Sequence, residues 1–271
     1  MVKTFEHKQQ GERSNTIQII RALCIIAVVM IHTSPNGEWQ AYIRPFINYC
    51  VATFIFLSGY LTKDSYDDWF SFMKKRIVRV LVPYFIWSVI YSLPRVYNEG
   101  ISVLFINLIT TRACFPFYYI AVYIQFVLLT PLLIKLAKSK YQALGWLVAP
   151  ISILIFRYYG IYLEPEFNSN IQFFSTISCL CWFSFYYLGL LLGNRIIDVK
   201  LSFKTLICVY VVCIVLQMAE GYYWFLDGES ECGSQLKISS LLTSSAFALC
   251  VHAMLKEDKI HISNYYCPLN L

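Results

Sequence analysis

The stretch TIQIIRALCIIAVVMIHT, residues 16–33, decides the fold class of this chain. It is apolar over nearly its whole length and is long enough for a transmembrane helix. Arg21 and His32 are its two strongly polar side chains. Because eleven helical steps of about 100° return to nearly the same face, the two side chains project from one side, about 16 Å apart along the axis. An ionisable group in a membrane helix is costly, so the pair predicts a polar site within a helix bundle.

Several other runs of the chain have the same apolar character. Of the 271 residues, 58% are hydrophobic and only 14% are charged, and the mean hydropathy is +0.56; this composition excludes an ordinary soluble domain. We therefore predict an all-α polytopic membrane protein, a bundle of about eight transmembrane helices. The predicted spans are residues 17–34, 42–62, 80–95, 116–135, 143–160, 173–193, 205–220 and 237–255. The first span is too long for the apolar core of a signal peptide, so we expect it to be retained.

The distribution of charge between the connecting segments predicts the orientation. With the N-terminus inside, most Lys and Arg side chains fall in inner segments, as expected of cytoplasmic loops. The outer side keeps only Arg44, Arg95, Arg112, Arg157 and Lys237. We expect a cytoplasmic segment at 1–16, a transmembrane domain at 17–255 and a short segment at 256–271, with His7 and His261 in the two tails. Because the cations are spread over several loops, the net charge of +6 does not indicate nucleic-acid binding.

A basic segment, Lys74–Tyr84, follows the second span and is interpreted as an inner loop. If it is helical, Arg76 and Arg79 share a face, and Pro83 lies in the first turn of the third span or kinks that span. Two interpretations stay open. The cluster could anchor the protein on anionic lipid, or the two guanidiniums could clamp a phosphate, which Arg binds in a bidentate fashion.

Small and aromatic residues near the span ends carry further hypotheses. Ser58-Gly59 favours close helix packing, and Ser58 could also line a ligand passage. Aromatic residues recur at Tyr118-Tyr119, Tyr158-Tyr159, Tyr186-Tyr187 and Tyr222-Tyr223-Trp224. We interpret them as an interfacial aromatic belt, with carbohydrate stacking as the alternative for the last three. Cys179 and Cys181 are too close together and too apolar in setting to predict a metal site.

These stretches together resemble the acyltransferase 3 family of bacterial integral membrane acyltransferases. The segment Arg21–His32 is like the family's Arg-x10-His helix, and Phe54–Tyr60 is like its Phe-x-x-x-Ser-Gly-Tyr/Phe stretch. Lys75–Tyr84 is similar to the Lys-Arg-x-x-Arg-x-x-x-Pro-Tyr segment. Phe117–Leu133 and Tyr186–Asn194 look like the family's aromatic span and its Gly-x-x-x-Gly helix end. The resemblance covers most of residues 15–255 and is strongest in the first 85.

The resemblance implies an acyltransferase that moves an acyl group, often acetyl, from acyl-CoA to a sugar hydroxyl. It implies His32 and Arg21 as the catalytic pair, and Arg76 and Arg79 as the acyl-donor site with Lys75 adjacent; we add Ser58 to the donor-binding set. Neutral imidazole can take the hydroxyl proton near pH 7, or it can accept the acyl group covalently. A guanidinium in a dry site can stabilise the negative charge of the tetrahedral intermediate.

The resemblance also implies the setting. We expect acetyl-CoA or another acyl-CoA as the donor substrate, and no metal. The expected partners are the lipid bilayer and a surface glycan or lipid-linked sugar acceptor, with no nucleic acid, and the oligomeric state stays open. The expected location is the bacterial inner membrane, multi-pass, with the N-terminus in the cytoplasm.

Two departures from the family pattern keep alternatives open. The chain has Phe115-Pro116 where family members commonly carry a His before the aromatic of the fourth span, and it offers about eight helices where about ten are usual. One alternative is a non-enzymatic transporter or exporter of a polar solute or glycan. The other is a C-terminally truncated, inactive member of the family.

Overall fold

Helices joined by short connections make up nearly all of the described chain. The computed structural model describes residues 15–35, 37–162, 168–229 and 232–257, and no β-strand occurs among them. The α-helices are α1 (Asn15–Thr33), α2 (Trp39–Ile43), α3 (Tyr49–Tyr60), α4 (Trp69–Glu99), α5 (Ser102–Thr110), α6 (Tyr118–Ala137), α7 (Gly145–Ile153), α8 (Tyr159–Tyr162), α9 (Asn168–Ile177), α10 (Cys179–Gly193), α11 (Phe203–Leu226) and α12 (Ile238–Glu257). Short 3₁₀ segments occupy Arg44–Phe46, Phe115–Phe117 and Gln142–Leu144, and a π-helix occupies Leu154–Tyr158.

Seven helical segments of the described chain are long and apolar enough to cross a membrane. They are Asn15–Thr33, Trp39–Tyr60, Trp69–Glu99, Phe115–Ala137, Phe173–Gly193, Phe203–Leu226 and Ile238–Lys256. The remaining predicted span, residues 143–160, corresponds to a shorter apolar helix, Gln142–Tyr158. The predicted all-α polytopic membrane fold is therefore confirmed. The predicted segments 1–16 and 256–271, with His7 and His261, lie almost wholly outside the described residues, and the domain limits stay a prediction.

The start of α4 corrects the predicted inner loop. Lys74–Tyr84 is helical, because α4 begins at Trp69, where the Asp68 side chain caps the helix by accepting a hydrogen bond of 3.1 Å from the Ser71 amide. Pro83 consequently lies in the helix interior and not in its first turn. An apolar window marks only the part of a helix that suits lipid, whereas the backbone hydrogen bonds continue through Lys and Arg residues, which have good helix propensity.

The chain divides into two compact units. The first unit consists of Met1–Phe54, Val199–Gln235 and Leu242–Leu271, and the second of Ile55–Asp198 and Leu236–Leu241. The first unit therefore holds α1, α2 and α11, and the second holds α4 to α10.

Glycines bring the end of α3 and α10 into backbone contact in the second unit. A Cβ on Gly189 would collide with the Phe56 carbonyl, and a Cβ on Gly193 with the Tyr60 carbonyl. From the other side, a Cβ on Gly59 would collide with the Tyr186 carbonyl. The two backbones thus touch directly, as small residues allow in membrane helices, and almost every residue of α10 is buried.

Two pairs of residues are buried although the sequence predicted one pair at the membrane interface and the other on the outer side. Tyr186 and Tyr187 are both 0% exposed, so this pair is not part of an interfacial belt. Arg157 and Lys237 are 2% and 1% exposed, and the helix that carries Arg157 is widened into the π-helix at that point. Beside Arg157, the Tyr158 hydroxyl accepts a hydrogen bond of 3.0 Å from the Ile238 amide.

A break at Ser178 separates α9 from α10 inside one apolar span. The Gln125 side chain of α6 bridges it: its amide nitrogen donates to the Ile177 carbonyl at 2.7 Å and its amide oxygen accepts from the Cys179 amide at 3.1 Å. The Ser178 hydroxyl in turn accepts a hydrogen bond from Leu180. Irregular backbone at membrane depth needs such protein partners, and Gln125 supplies them on both sides of the break.

Candidate functional site

The Arg21 and His32 side chains lie on the same face of α1, because the helix runs unbroken from Asn15 to Thr33. The buried residues of α1 are Thr16, Ile20, Cys24 and Ala27. They form one stripe, and by helical spacing Arg21 and His32 lie about 100–125° around the helix from its centre. Arg21 is half-buried and His32 is exposed, so both lie outside the contact that α1 makes and stay accessible.

A second guanidinium, that of Arg44, lies beside His32. No role was predicted for Arg44 from the sequence. Arg44 begins the 3₁₀ segment after α2, and its side chain interacts electrostatically with His32. One Arg44 nitrogen donates a long hydrogen bond, 3.5 Å, to the Ile31 carbonyl. Gly233 makes room for this arrangement, because a Cβ there would collide with the Arg44 side chain. In the sequence, Arg44 is recognisable only as a single cation twelve residues after His32, which does not indicate that the two side chains meet.

The aromatic residues of the first unit do not form the platform that the sequence offered as an alternative. Trp224 is 1% exposed and cannot present a ring face to a sugar. Tyr222 contacts the Tyr42 ring at a centroid distance of 5.9 Å, and the Tyr42 hydroxyl donates to a Glu38 carboxylate oxygen at 3.3 Å. Tyr223 is exposed. Burial of Trp224 thus rules out one stacking surface made of all three side chains.

In the second unit, the Arg76 guanidinium is fixed at the C-terminal end of α3. It donates to the Thr62 hydroxyl at 2.8 Å, to the Leu61 carbonyl at 3.3 Å and to the Ser58 carbonyl at 3.4 Å. A cation at a helix C-terminus satisfies carbonyls that lack partners within the helix and opposes the helix dipole. Because a guanidinium carries five N–H donors, these three hydrogen bonds leave donors for a ligand.

Aromatic rings support the Arg76 guanidinium from α4 and the loop before it. The guanidinium carbon lies 4.6 Å from the centroid of the Phe72 ring, a cation–π contact. Tyr66 packs on Phe72 at 3.9 Å, and its hydroxyl accepts from the Lys63 amide at 2.7 Å. Burial raises the pKa of the Tyr66 phenol, so this hydroxyl remains neutral and able to hydrogen-bond throughout the physiological pH range.

The other three predicted donor-site residues differ in their setting. Arg79, one helical turn after Arg76, is exposed, and so is Lys75. Ser58 is in contact with Arg76 through its carbonyl, whereas its hydroxyl oxygen is buried without a hydrogen-bond partner among the described residues. The structure thus brings Ser58 and Arg76 together in the second unit, while Arg21 and His32 belong to the first.

An ion pair links the loop between α3 and α4 to the end of α6. Lys138 Nζ, just after α6, lies 2.8 Å from an Asp64 carboxylate oxygen. The hydrogen bond from Lys138 lowers the pKa of Asp64. This pair fixes the segment that contains Thr62 against the end of α6.

Comparison with known proteins gives one result. The model of an acyltransferase domain matches residues 15–266, nearly the whole chain. The chain belongs to the acyltransferase 3 family. No curated protein and no solved structure matches it. Family membership and the seven long apolar helices identify this acyltransferase 3 protein as a multi-pass membrane acyltransferase.

Proposed function

We propose that this acyltransferase 3 protein transfers an acetyl or other short acyl group from acyl-CoA to a hydroxyl of a cell-surface glycan or lipid-linked sugar. The observation that carries the proposal is the position of His32. It lies on the same face of α1 as Arg21 and beside Arg44, in a chain of an acyltransferase family. A base with one guanidinium beside it and a second on the same helix face suits an acyl transfer that passes through a negatively charged intermediate.

The chemistry assigns a task to each of these side chains. Neutral His32 takes the proton of the acceptor hydroxyl, whose oxygen attacks the carbonyl carbon of the thioester. When the tetrahedral intermediate collapses, the carbon–sulfur bond breaks, and the CoA thiolate takes the proton from His32. In a two-step variant, His32 attacks the thioester first, the carbon–sulfur bond breaks and CoA leaves as the thiol with the imidazole proton; the acyl-imidazole then passes the acyl group to the sugar hydroxyl, whose proton returns to His32. Arg44 stabilises the oxyanion in either route, and Arg21, about 16 Å away along α1, guides the pantetheine arm of the donor.

The donor site belongs to the basic residues of α4. Arg76 and Arg79 are three residues apart on that helix and bind the phosphates of CoA in this proposal, with Lys75 adding positive charge. Ser58 supports the assignment, because a buried hydroxyl without a partner costs about 1–3 kcal/mol unless a ligand or water completes it. A pantetheine amide or a phosphate oxygen supplies such a partner.

The proposed setting is the bacterial inner membrane, with the N-terminus in the cytoplasm. The excess of Lys and Arg in the alternate connecting segments supports this orientation. It would place the α4 cations on the side where acyl-CoA is made and His32 towards the side where surface glycans are assembled.

Acetyl-CoA turnover in membranes tests the proposal. Wild type, His32→Ala and Thr33→Ala are expressed at matched levels, and transfer from radiolabelled acetyl-CoA to endogenous glycan is measured. Thr33 is the neighbouring exposed residue, and its hydroxyl donates to the Val29 carbonyl of its own helix, so its variant serves as the control. We expect transfer by wild type and Thr33→Ala and none by His32→Ala. Full transfer by His32→Ala would overturn the role of His32. Solute flux without CoA dependence would favour the transporter alternative.

A further inference from the structure

A buried chain of hydroxyl groups leads from the centre of the second unit to Arg76. The Tyr186 hydroxyl lies 2.8 Å from Thr130 Oγ1 and 3.2 Å from Thr62 Oγ1. Thr62 Oγ1 accepts the 2.8 Å hydrogen bond from Arg76. Tyr186, Thr62 and Thr130 are at most 1% exposed, so these contacts form without competition from water.

Counting the hydroxyl protons gives the chain a direction. Thr62 Oγ1 lies 2.7 Å from the Ser58 carbonyl, which can only accept, so Thr62 donates its one proton there. Its two lone pairs then accept from Arg76 and from Tyr186. Thr130 Oγ1 lies 2.7 Å from the Phe126 carbonyl and donates its own proton there, so Tyr186 is the donor in this cluster and shares its one proton between the Thr130 and Thr62 oxygens. Thr62 Oγ1 is thereby held between the Ser58 carbonyl and the Tyr186 phenol, and its position restricts the orientation of the Arg76 guanidinium.

Tyr186 is itself held in place by packing. Its ring stacks on Phe126 at a centroid distance of 4.6 Å and an interplanar angle of 1°. Its backbone carbonyl faces Gly59 across the α3–α10 contact. The phenol therefore cannot turn away from Thr62 without disturbing two helix contacts, and it acts as a rigid support.

We infer that Tyr186 and Thr62 are positioning residues for the phosphate-binding guanidinium of Arg76. This inference rests on the proposed function, in which Arg76 binds a phosphate of acyl-CoA. Neither residue touches the ligand. Their hydroxyls select the one orientation of the guanidinium that leaves its remaining N–H donors for the phosphate, so their loss weakens donor binding and spares the chemical step.

Tyr187 provides a matched control one residue away. It is equally buried, at 0% exposed, and its hydroxyl donates to the Gln142 carbonyl at 3.0 Å, with no part in the Arg76 chain. Tyr186→Phe and Tyr187→Phe remove the same atom from the same helix. A purely structural role of the phenol predicts the same kinetic effect from both variants.

The experiment measures kcat and KM of the full-length protein in nanodiscs with two donors, acetyl-CoA and S-acetylpantetheine, which has no phosphate. We expect Tyr186→Phe to raise the KM for acetyl-CoA about 2- to 10-fold, as loss of one neutral hydrogen bond would, with kcat nearly unchanged. The KM for S-acetylpantetheine should not change, and Tyr187→Phe should resemble wild type with both donors. Thr62→Val should behave as Tyr186→Phe does, and Thr62→Ser, which keeps the hydroxyl, should restore the wild-type KM.

The outcomes separate the inference from the proposed function. An unchanged KM for acetyl-CoA in Tyr186→Phe, or an equal rise for both donors, overturns the inference while wild-type turnover upholds the proposed function. Absence of wild-type turnover overturns the proposed function and the inference with it. If Tyr186→Phe does not fold, the comparison of Thr62→Val with Thr62→Ser decides in the same way.

Discussion

The main-chain carbonyl of Phe56 occupies the place that a Cβ on residue 189 would need, so Gly189 is the point where α3 and α10 touch backbone to backbone. The obstacle is a carbonyl within a helix, which cannot swing aside as a flexible side chain could. Even one methyl group must therefore push the two helices apart.

We accordingly expect Gly189→Ala to destabilise the protein by about 1–3 kcal/mol, the usual cost of overpacking a tight contact. Thermal unfolding in detergent measures it. Leu180→Ala is the comparison variant, because Leu180 lies on the same helix and is 40% exposed. A Gly189→Ala protein as stable as Leu180→Ala would show that the two helices can separate without cost.

The fold class could be predicted from the sequence, because runs of apolar residues long enough to cross a bilayer permit few other structures. The limits of α4 could not. Hydropathy responds to the lipid-facing window, whereas this helix starts at a cap, Asp68, well before its apolar part begins. The break at Ser178 was also invisible, because the residue that completes the backbone hydrogen bonds, Gln125, lies 53 positions earlier in the chain.

Replacement by Lys should reduce the stability of the protein at Arg76 but not at Arg79. Arg76→Lys loses the fork that reaches Thr62 and the Leu61 carbonyl together, so we expect it to lower the free energy of unfolding by about 1–2 kcal/mol. Arg79 is exposed, so Arg79→Lys should change it by less than about 0.5 kcal/mol. Thermal unfolding of the two variants side by side checks this. Equal stability would mean that Arg76 does not secure the end of α3.

Gln125→Glu tests the bridge across the α9–α10 break. The carboxylate keeps an acceptor for the Cys179 amide but has no N–H for the Ile177 carbonyl. We expect faster hydrogen exchange at residues 178–180 and a loss of about 1–3 kcal/mol in stability, because a buried acceptor is left unpaired next to a charge. Tyr123→Phe, two residues earlier on the same helix, is the control. Unchanged exchange in Gln125→Glu would show that the break is held by other contacts.

The Asp64–Lys138 ion pair should give a small, pH-dependent contribution to stability. The pKa of Asp64 is lowered in the folded protein by the hydrogen bond from Lys138. Stability from the pair is therefore fully present above the ordinary carboxyl pKa and is lost as the pH falls through the lowered folded value. Both side chains are largely exposed, so the contribution stays below about 1 kcal/mol.

Thermal unfolding of wild type and Asp64→Asn between pH 7 and pH 3 measures this contribution. The difference between the two proteins should be largest near neutral pH and should vanish in acid. Asp67→Asn, in the same loop and exposed, should follow wild type at every pH. A difference that grows as the pH falls would contradict the assignment.

The candidate site was predictable only where the chemistry is local in sequence. Arg21 and His32 are related by helical spacing alone, which eleven residues of one helix determine. The support that Tyr186 gives to Arg76 through Thr62 could not be predicted, because Thr62 and Tyr186 are 124 positions apart. In the sequence, Tyr186 belongs to a pair of tyrosines that resembles an interfacial belt. Arg44 likewise reaches its position beside His32 because Gly233 has no Cβ, which would collide with the Arg44 side chain.

The π-helix at Leu154–Tyr158 has a consequence for how relatives of this chain can diverge. A π-turn corresponds to one residue more than an α-turn holds. Deleting one residue there would restore α-helical geometry and rotate the following residues by about 100°, which would take the Tyr158 hydroxyl away from the Ile238 amide. A single deletion at this point of the chain is therefore also expected to displace the buried Arg157.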